Sequence, residues 1–195
     1  MPRVWEHKQE NGNVRISELG ILSALAVDCK DCTNIFEIGT FDGRTTLNLA
    51  MNSPPRCQVY TLDLPPGQET KFNMADGEGY IADDQKPGSR YERYRSEFPS
   101  SISKIHQLLG DSATFDYTPY KDTCSLVFVD GSHVYDYAIS DTRAAMGIVK
   151  KGGVIIWHDY GIWEGVTRAI EDLWEREHYD LRNIRGTSLV YWKNK

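Results

Sequence analysis

Acidic side chains recur at the ends of apolar runs in this chain, and two histidines stand beside the last of them. Glu37, Asp63, Asp111, Asp130 and Asp159 each close or follow such a run, with Gly39, Ser112, His133 and His158 close by. One such acid is explained by the turn and capping preferences of Asp. Five that converge on one edge of a sheet call for a ligand: carboxylates accept hydrogen bonds from hydroxyls, hold cations and exchange protons with histidine.

Two glycines follow the first of these acids, in Glu37-Ile38-Gly39-Thr40-Phe41-Asp42-Gly43. A strand, a glycine turn and a helix in that order make a nucleotide-binding corner, because glycine admits a ligand where a Cβ would clash. A dinucleotide corner reads GxGxxG, so that a pyrophosphate rests on the amides of a helix N-terminus. Here Phe41 stands where the second glycine of that pattern would fall, and Glu37 and Asp42 would repel a pyrophosphate. A ligand with a cationic sulfonium and an ammonium group is compatible with the same acids. Asp63, at the next strand end, is placed to accept both hydroxyls of a ribose, which suits either kind of cofactor.

Strands alternating with helices must bring these ends together. Ile16, Leu19, Ser23, Ala26 and Val27 fall at helical spacing and predict an amphipathic helix over 16–29. Strands are predicted over 35–39, 59–64, 105–109, 125–129 and 154–157. Helices are predicted over 44–51, from Tyr135 to a stop at Gly152-Gly153, and around Val166 to Trp174. Two further strands around Arg185-Gly186-Thr187 make an antiparallel edge hairpin. The predicted fold is α/β, a doubly wound, mostly parallel sheet with helices on both faces. Ligands of such a sheet bind outside the carboxyl ends of its strands, where the acids lie.

At 195 residues the chain reads as one domain, 1–195, with a lid-like insertion over about 66–99. That insertion is rich in Gly, Asp, Glu and Tyr, and its Phe72, Tyr80, Tyr91 and Tyr94 favour partial order over the site. A net charge of -6 argues against nucleic acid as the main partner. No run is apolar enough to span a bilayer and the first residues hold no apolar signal region, so a cytoplasmic protein without a membrane partner is expected. Cys29 and Cys32 have the spacing of half a zinc site or a redox pair, but no second pair supports either reading. Cys57 and Cys124 are expected as buried thiols.

These motifs resemble those of class I S-adenosylmethionine-dependent methyltransferases. Glu37-x-Gly39-x-x-x-Gly43 is similar to the first motif of that family and Val59-Tyr60-Thr61-Leu62-Asp63 to the second. Leu109-Gly110-Asp111-Ser112 resembles the adenine-binding turn after the third strand, and Phe128-Val129-Asp130-Gly131-Ser132-His133 the motif after the fourth. The resemblance runs from about Asn34 onward, leaves 65–99 unmatched, and is nearest the catechol-type and sugar O-methyltransferases, the Methyltransferase 24-like group. It implies a Rossmann-like, seven-stranded fold and a methyltransferase acting on a small-molecule hydroxyl, with S-adenosylmethionine held by Glu37, Gly39, Thr40, Gly43, Asp63, Leu64, Asp111, Ser112 and Asp130.

Catechol-type enzymes often hold a divalent metal between an Asp after the fourth strand and acidic or amide residues after the fifth. By position, the resemblance implies Asp130, His158 and Asp159 as ligands. His158 departs from the usual acid, and two carboxylates with an imidazole suit Mn²⁺, Fe²⁺ or Zn²⁺ better than Mg²⁺. His133 stands where catechol-type enzymes carry a Lys that deprotonates the acceptor. With a free pKa of about 6.5, a histidine there can act as a general base. The implied catalytic group is then His133, Asp130 and His158, and catechol-type relatives suggest a homodimer. The plainer readings stay open: His133 and His158 as loop histidines bonded to carboxylates, and Asp130 as a helix cap. Trp157 and Trp163 could wall an aromatic acceptor pocket, Trp174 reads as core, and Tyr135 and Tyr160 flank the site. Two other functions remain, an NAD-dependent oxidoreductase and a non-catalytic S-adenosylmethionine-binding protein; N-methylation is also open.

Overall fold

The computed structural model of the protein describes residues 1–31, 33–78 and 86–195. Strands β1 (Asn34–Ile38), β2 (Gln58–Asp63), β3 (Ile105–Leu109), β4 (Cys124–Val129), β5 (Val149–Trp157), β6 (Arg182–Asn183) and β7 (Val190–Lys193) form a seven-stranded sheet in the order β3-β2-β1-β4-β5-β7-β6. The first five pair in parallel, and β7 runs antiparallel to both β5 and β6. Among the described residues, the α-helices are α1 (Ile16–Asp28), α2 (Arg44–Asn52), the short α3 (Ser89–Glu92) and α4 (Pro99–Ile102), then α5 (Tyr135–Ile148) and α6 (Glu164–Glu177).

Alternation along the strands decides what each face meets. Phe36, Ile38, Val127, Val129, Ile155 and Trp157 pack against Ala145 and Ile148 of α5 and Ala169 and Leu173 of α6. Ile35, Leu126, Phe128 and Ile156 point the other way, onto Leu19, Leu22 and Ala26 of α1 and Leu49 and Ala50 of α2. Burial on both faces is why β4 is buried along its whole length and reads as an unbroken apolar run. Each such Leu or Ile side chain contributes about 1.5–3 kcal/mol by leaving water. Glu37 falls by the same alternation on the α1–α2 face.

The chain lays β2 and β3 to one side of β1 and β4 and β5 to the other, so strand order reverses between β1 and β4. Register then lines up the site. Ile38 pairs with Val129 and Val129 with Trp157, which sets Gly39, Asp130 and His158 side by side just beyond the sheet. Two bonds extend the ladder past the strands: the Asp130 N–H donates to Ile38 O at 2.8 Å and the His158 N–H to Val129 O at 3.0 Å.

Several expectations need correction. Helix α5 stops at Ile148, and β5 begins at Val149 and carries Gly152 and Gly153 within it. A Cβ on Gly153 would lie 2.8 Å from Cys124 O, where the β4–β5 register shifts, so this glycine serves strand pairing and not a helix end. Trp157 is core, with its Nε1 donating to Thr142 Oγ1, whereas Trp174, expected inside, is exposed. Cys57 is disulfide-bonded; Cys29 and Cys124 are free thiols. Cys32 and Tyr80 lie outside the described residues. Among the described residues, no helix is long and apolar enough to cross a membrane.

Candidate active site

A cavity of about 770 Å³ opens at the strand-order reversal. Gly39, Thr40, Asp63, Leu64, Asp111, Ser112, Asp130, His133, His158 and Asp159 all line it, so ten of the expected site residues meet in one space; Glu37 and Gly43 are not among its lining residues. The insertion contributes Thr70, Met74, Asp76, Gly77 and Glu78 to the wall, and the N-terminal segment contributes residues 9–15.

At the glycine-turn end, the two glycines answer to packing within the chain. A Cβ on Gly39 would lie 2.0 Å from Asp130 O, and one on Gly43 would lie 2.6 Å from the Tyr91 ring and 2.8 Å from Gly88 Cα. Gly39 thus lets β1 and β4 close on each other, and Gly43 lets α3 dock on the start of α2. Between them Phe41 adopts a left-handed φ of 50°, and its N–H donates to Asp63 Oδ2 at 2.7 Å. Asp63 Oδ1 accepts from the Leu64 N–H at 2.9 Å. Burial raises the Asp63 carboxyl to about 6 against the lowering effect of those amides. Each oxygen keeps a lone pair for a ligand hydroxyl.

Glu37 lies behind the cavity wall. It is fully buried beneath the turn, where Oε2 accepts from the hydroxyls of Thr46 and Thr61. Burial pushes its carboxyl up to about 8, with Asp130 and Asp63 adding to the rise against the two threonine bonds. From there it joins Thr46 of α2 to Thr61 of β2 behind the turn. Asp111 is likewise occupied: it accepts from the Lys71 and Ala113 N–H groups and the Tyr137 hydroxyl, tying the insertion and α5 to the end of β3. Ser112 beside it remains on the cavity wall.

At the other end, Asp130, His158 and Asp159 bring one ligand atom each within 4.8 Å of one another. His158 Nδ1 lies 2.9 Å from Asp130 Oδ1 and 3.2 Å from Asp159 Oδ1, and its Nε2 faces Glu18 Oε2 at 3.2 Å. Asp159 holds a left-handed φ of 65°, a strained conformation for a non-glycine residue of the kind that gathers at functional sites. Burial would lower the His158 pKa, but the surrounding acids, Asp130 foremost, raise it to about 12. Burial works against ionisation of Asp159 too, yet bonds from His133 and His158 hold its carboxyl below the usual range. The donor set fits a divalent cation: two carboxylates and an imidazole converge, and the second imidazole nitrogen rests on a buried acid, the arrangement metal-bound histidines adopt.

His133 sits between two acids. Nδ1 pairs with Glu78 Oε1, and Nε2 lies 2.9 Å from Asp159 Oδ2. Burial is outweighed by these partners, which raise the ring to about 9, so the expectation of a base poised near its free pKa is not met in this arrangement. The Trp163 indole stacks on the imidazole at 4.4 Å between ring centres, and with Ile162 it forms an exposed apolar rim to the cavity.

Residues 36–160 match the model of a methyltransferase domain family, Methyltransf_24. The chain belongs to this methyltransferase family. In three dimensions the methyltransferase is similar to the O-methyltransferase TomG of Streptomyces achromogenes, solved with S-adenosylmethionine, at 18% identity and a TM-score of 0.64 over 96% of this chain and 92% of that one. It is also similar to PaMTH1 of Podospora anserina, bound to S-adenosylhomocysteine, at 14% identity and a TM-score of 0.69 over 94% and 80% of the two chains. A third similar structure is CalS11, a TDP-rhamnose 3'-O-methyltransferase of calicheamicin biosynthesis, at 18% identity and a TM-score of 0.64 over 92% and 79%. At such identities the likeness speaks to the fold. No curated protein matches the sequence.

Sequence reasoning missed three parts of this methyltransferase's site. Glu78 reaches His133 from an insertion without periodic pattern, and only its acid type could have drawn notice. Glu18 hides in an amphipathic helix, where a charged residue on the buried face is the available signal. The N-terminal segment is held along α2 by bonds to its backbone. Arg44 donates to Glu6 O at 2.7 Å and to Val14 O at 2.9 Å, Asn48 exchanges two bonds with Trp5, and Arg90 donates to Lys8 O at 2.7 Å. Backbone acceptors carry no side-chain signature, so nothing in the sequence marks this strap. Tyr135 and Tyr160, expected to flank the site, are not among the cavity's lining residues, and the Tyr135 hydroxyl bonds Asp172 instead.

Proposed function

We propose that the protein transfers a methyl group from S-adenosylmethionine to a hydroxyl oxygen of a small molecule, assisted by a divalent cation at Asp130, His158 and Asp159. The observation that carries this reading is the single cavity that joins the glycine turn, Asp63 and Ser112 to His133, Asp130, His158 and Asp159. Similarity to TomG and CalS11, both described as O-methyltransferases, supports oxygen as the acceptor atom.

S-adenosylmethionine supplies a methyl group on a cationic sulfur that leaves as a neutral thioether. The chain's tasks are alignment, exclusion of water and proton removal. Asp63 accepts from the ribose hydroxyls, and Ser112 stands at the adenine end. A divalent cation held by Asp130, His158 and Asp159 would lower the pKa of the acceptor hydroxyl. Glu78 keeps a proton on His133 Nδ1, and His133 Nε2 becomes the acceptor of the hydroxyl proton once its 2.9 Å contact with Asp159 Oδ2 opens. Ile162 and Trp163 offer an apolar face beside that nitrogen, and the insertion closes over the acceptor as a lid.

An NAD-dependent oxidoreductase fits less well. The Phe41 amide that a pyrophosphate would need is already taken by Asp63. Calorimetry with S-adenosylhomocysteine and NAD separates the two, and binding of NAD alone would sink the proposal. A panel of small alcohols, catechols and sugars with labelled S-adenosylmethionine, with and without Mn²⁺, tests transfer. No transfer to any of them despite tight S-adenosylhomocysteine binding would favour a non-catalytic binding protein.

A further inference from the structure

Glu18 lies in the first turn of α1, where an acid ordinarily stays at the surface and caps the helix. Its Oε2 does accept from the Arg15 N–H, at 2.9 Å. A cap needs only that bond. Yet the side chain is fully buried, Oε1 accepts from the Ser188 N–H at 2.8 Å and from Ser188 Oγ at 2.9 Å, and Oε2 also faces His158 Nε2 at 3.2 Å. Ser188, between β6 and β7, is buried as well, so two elements distant in sequence fix the carboxylate before it meets the ring.

We propose that Glu18 is a positioning residue: it engages Nε2 of His158 and thereby leaves Nδ1 as the nitrogen turned toward Asp130 and Asp159 for a divalent cation. The inference rests on the cation-assisted reading above and deepens it by naming what sets the histidine's tautomer. An imidazole offers a cation one nitrogen, and the hydrogen bond at the other decides which. The Nδ1 geometry described above, facing Asp130 Oδ1 and Asp159 Oδ1, is what this bond would preserve. Glutamine at position 18 keeps the volume but replaces one acceptor oxygen with an amide donor, so it cannot serve Arg15, Ser188 and His158 together.

The test is calorimetric titration of the full chain with Mn²⁺ alone, together with ¹⁵N shifts of the His158 ring, in wild type, Glu18→Gln and Ser188→Ala. S-adenosylhomocysteine affinity serves as the fold control. Glu18→Gln should weaken Mn²⁺ binding by about 10- to 100-fold and mix the two ring tautomers. Ser188→Ala, which keeps the backbone donor, should weaken it by about two- to tenfold and covers the case in which Glu18→Gln does not fold. Unchanged Mn²⁺ affinity and ring shifts in a folded Glu18→Gln protein would overturn the inference and leave the cation reading standing. A wild type that binds S-adenosylhomocysteine but no Mn²⁺ would overturn both.

Discussion

Asp63 and Glu37 share an acid type and differ in what surrounds them. Asp63 keeps its carboxylate on the cavity wall, so Asp63→Ala should raise the Kd for S-adenosylhomocysteine at least tenfold, about 1.4 kcal/mol; wild-type affinity in calorimetry would remove it from the ribose. Glu37 should show itself through pH. Unfolded, it ionises near about 4.3, whereas burial holds it protonated up to about 8 in the fold. Between those values the folded chain keeps a proton that the unfolded chain has lost, so stability falls as pH rises through the window. Glu37→Gln cannot ionise, and its Tm should change less between pH 5 and 8 than that of the wild type; parallel curves would contradict the assignment. The presence of an acid at each position was legible in the sequence. Its charge state was not, because that depends on burial under the turn, which outweighs the Thr46 and Thr61 bonds and exists only once sheet and helix are assembled.

Among the elements, β4 and the 154–157 end of β5 were legible because strands covered on both faces read as apolar runs, and alternation with helices implied that the strands pair in parallel. Their exact limits were less so: Gly152-Gly153 read as a helix stop and lies within β5. The glycine turn was legible as a turn; that both glycines also make room for the chain itself was not. Gly39→Ala tests this. Its Cβ would meet Asp130 O at 2.0 Å with φ at 96°, so a loss of about 3 kcal/mol or more is expected from overpacking and left-handed strain together. For a chain of this size that lowers Tm by roughly 6–12 °C. An unchanged Tm would mean that β1 and β4 are free to separate.

Over the whole molecule, two segments without periodic pattern, the N-terminal strap and the insertion, border the cavity between the strand ends. Arg44 pins the strap through two backbone oxygens while almost entirely buried itself. Arg44→Ala should cost about 2 kcal/mol in stability and speed amide exchange over residues 5–14 more than in the sheet; uniform protection would show that the strap holds by other means. The clasp around His158 closes over far longer stretches of chain. Glu18 and Ser188 are 170 residues apart, and at a synthesis rate of about 5–20 residues per second roughly ten to thirty seconds separate their appearance at the ribosome. The parallel strands and the glycine turn can assemble within that interval, while Glu18 still waits for its serine. On the reading proposed above, the residues of the donor end, Gly39 to Ser112, are all made before the serine that completes the clasp at the acceptor end.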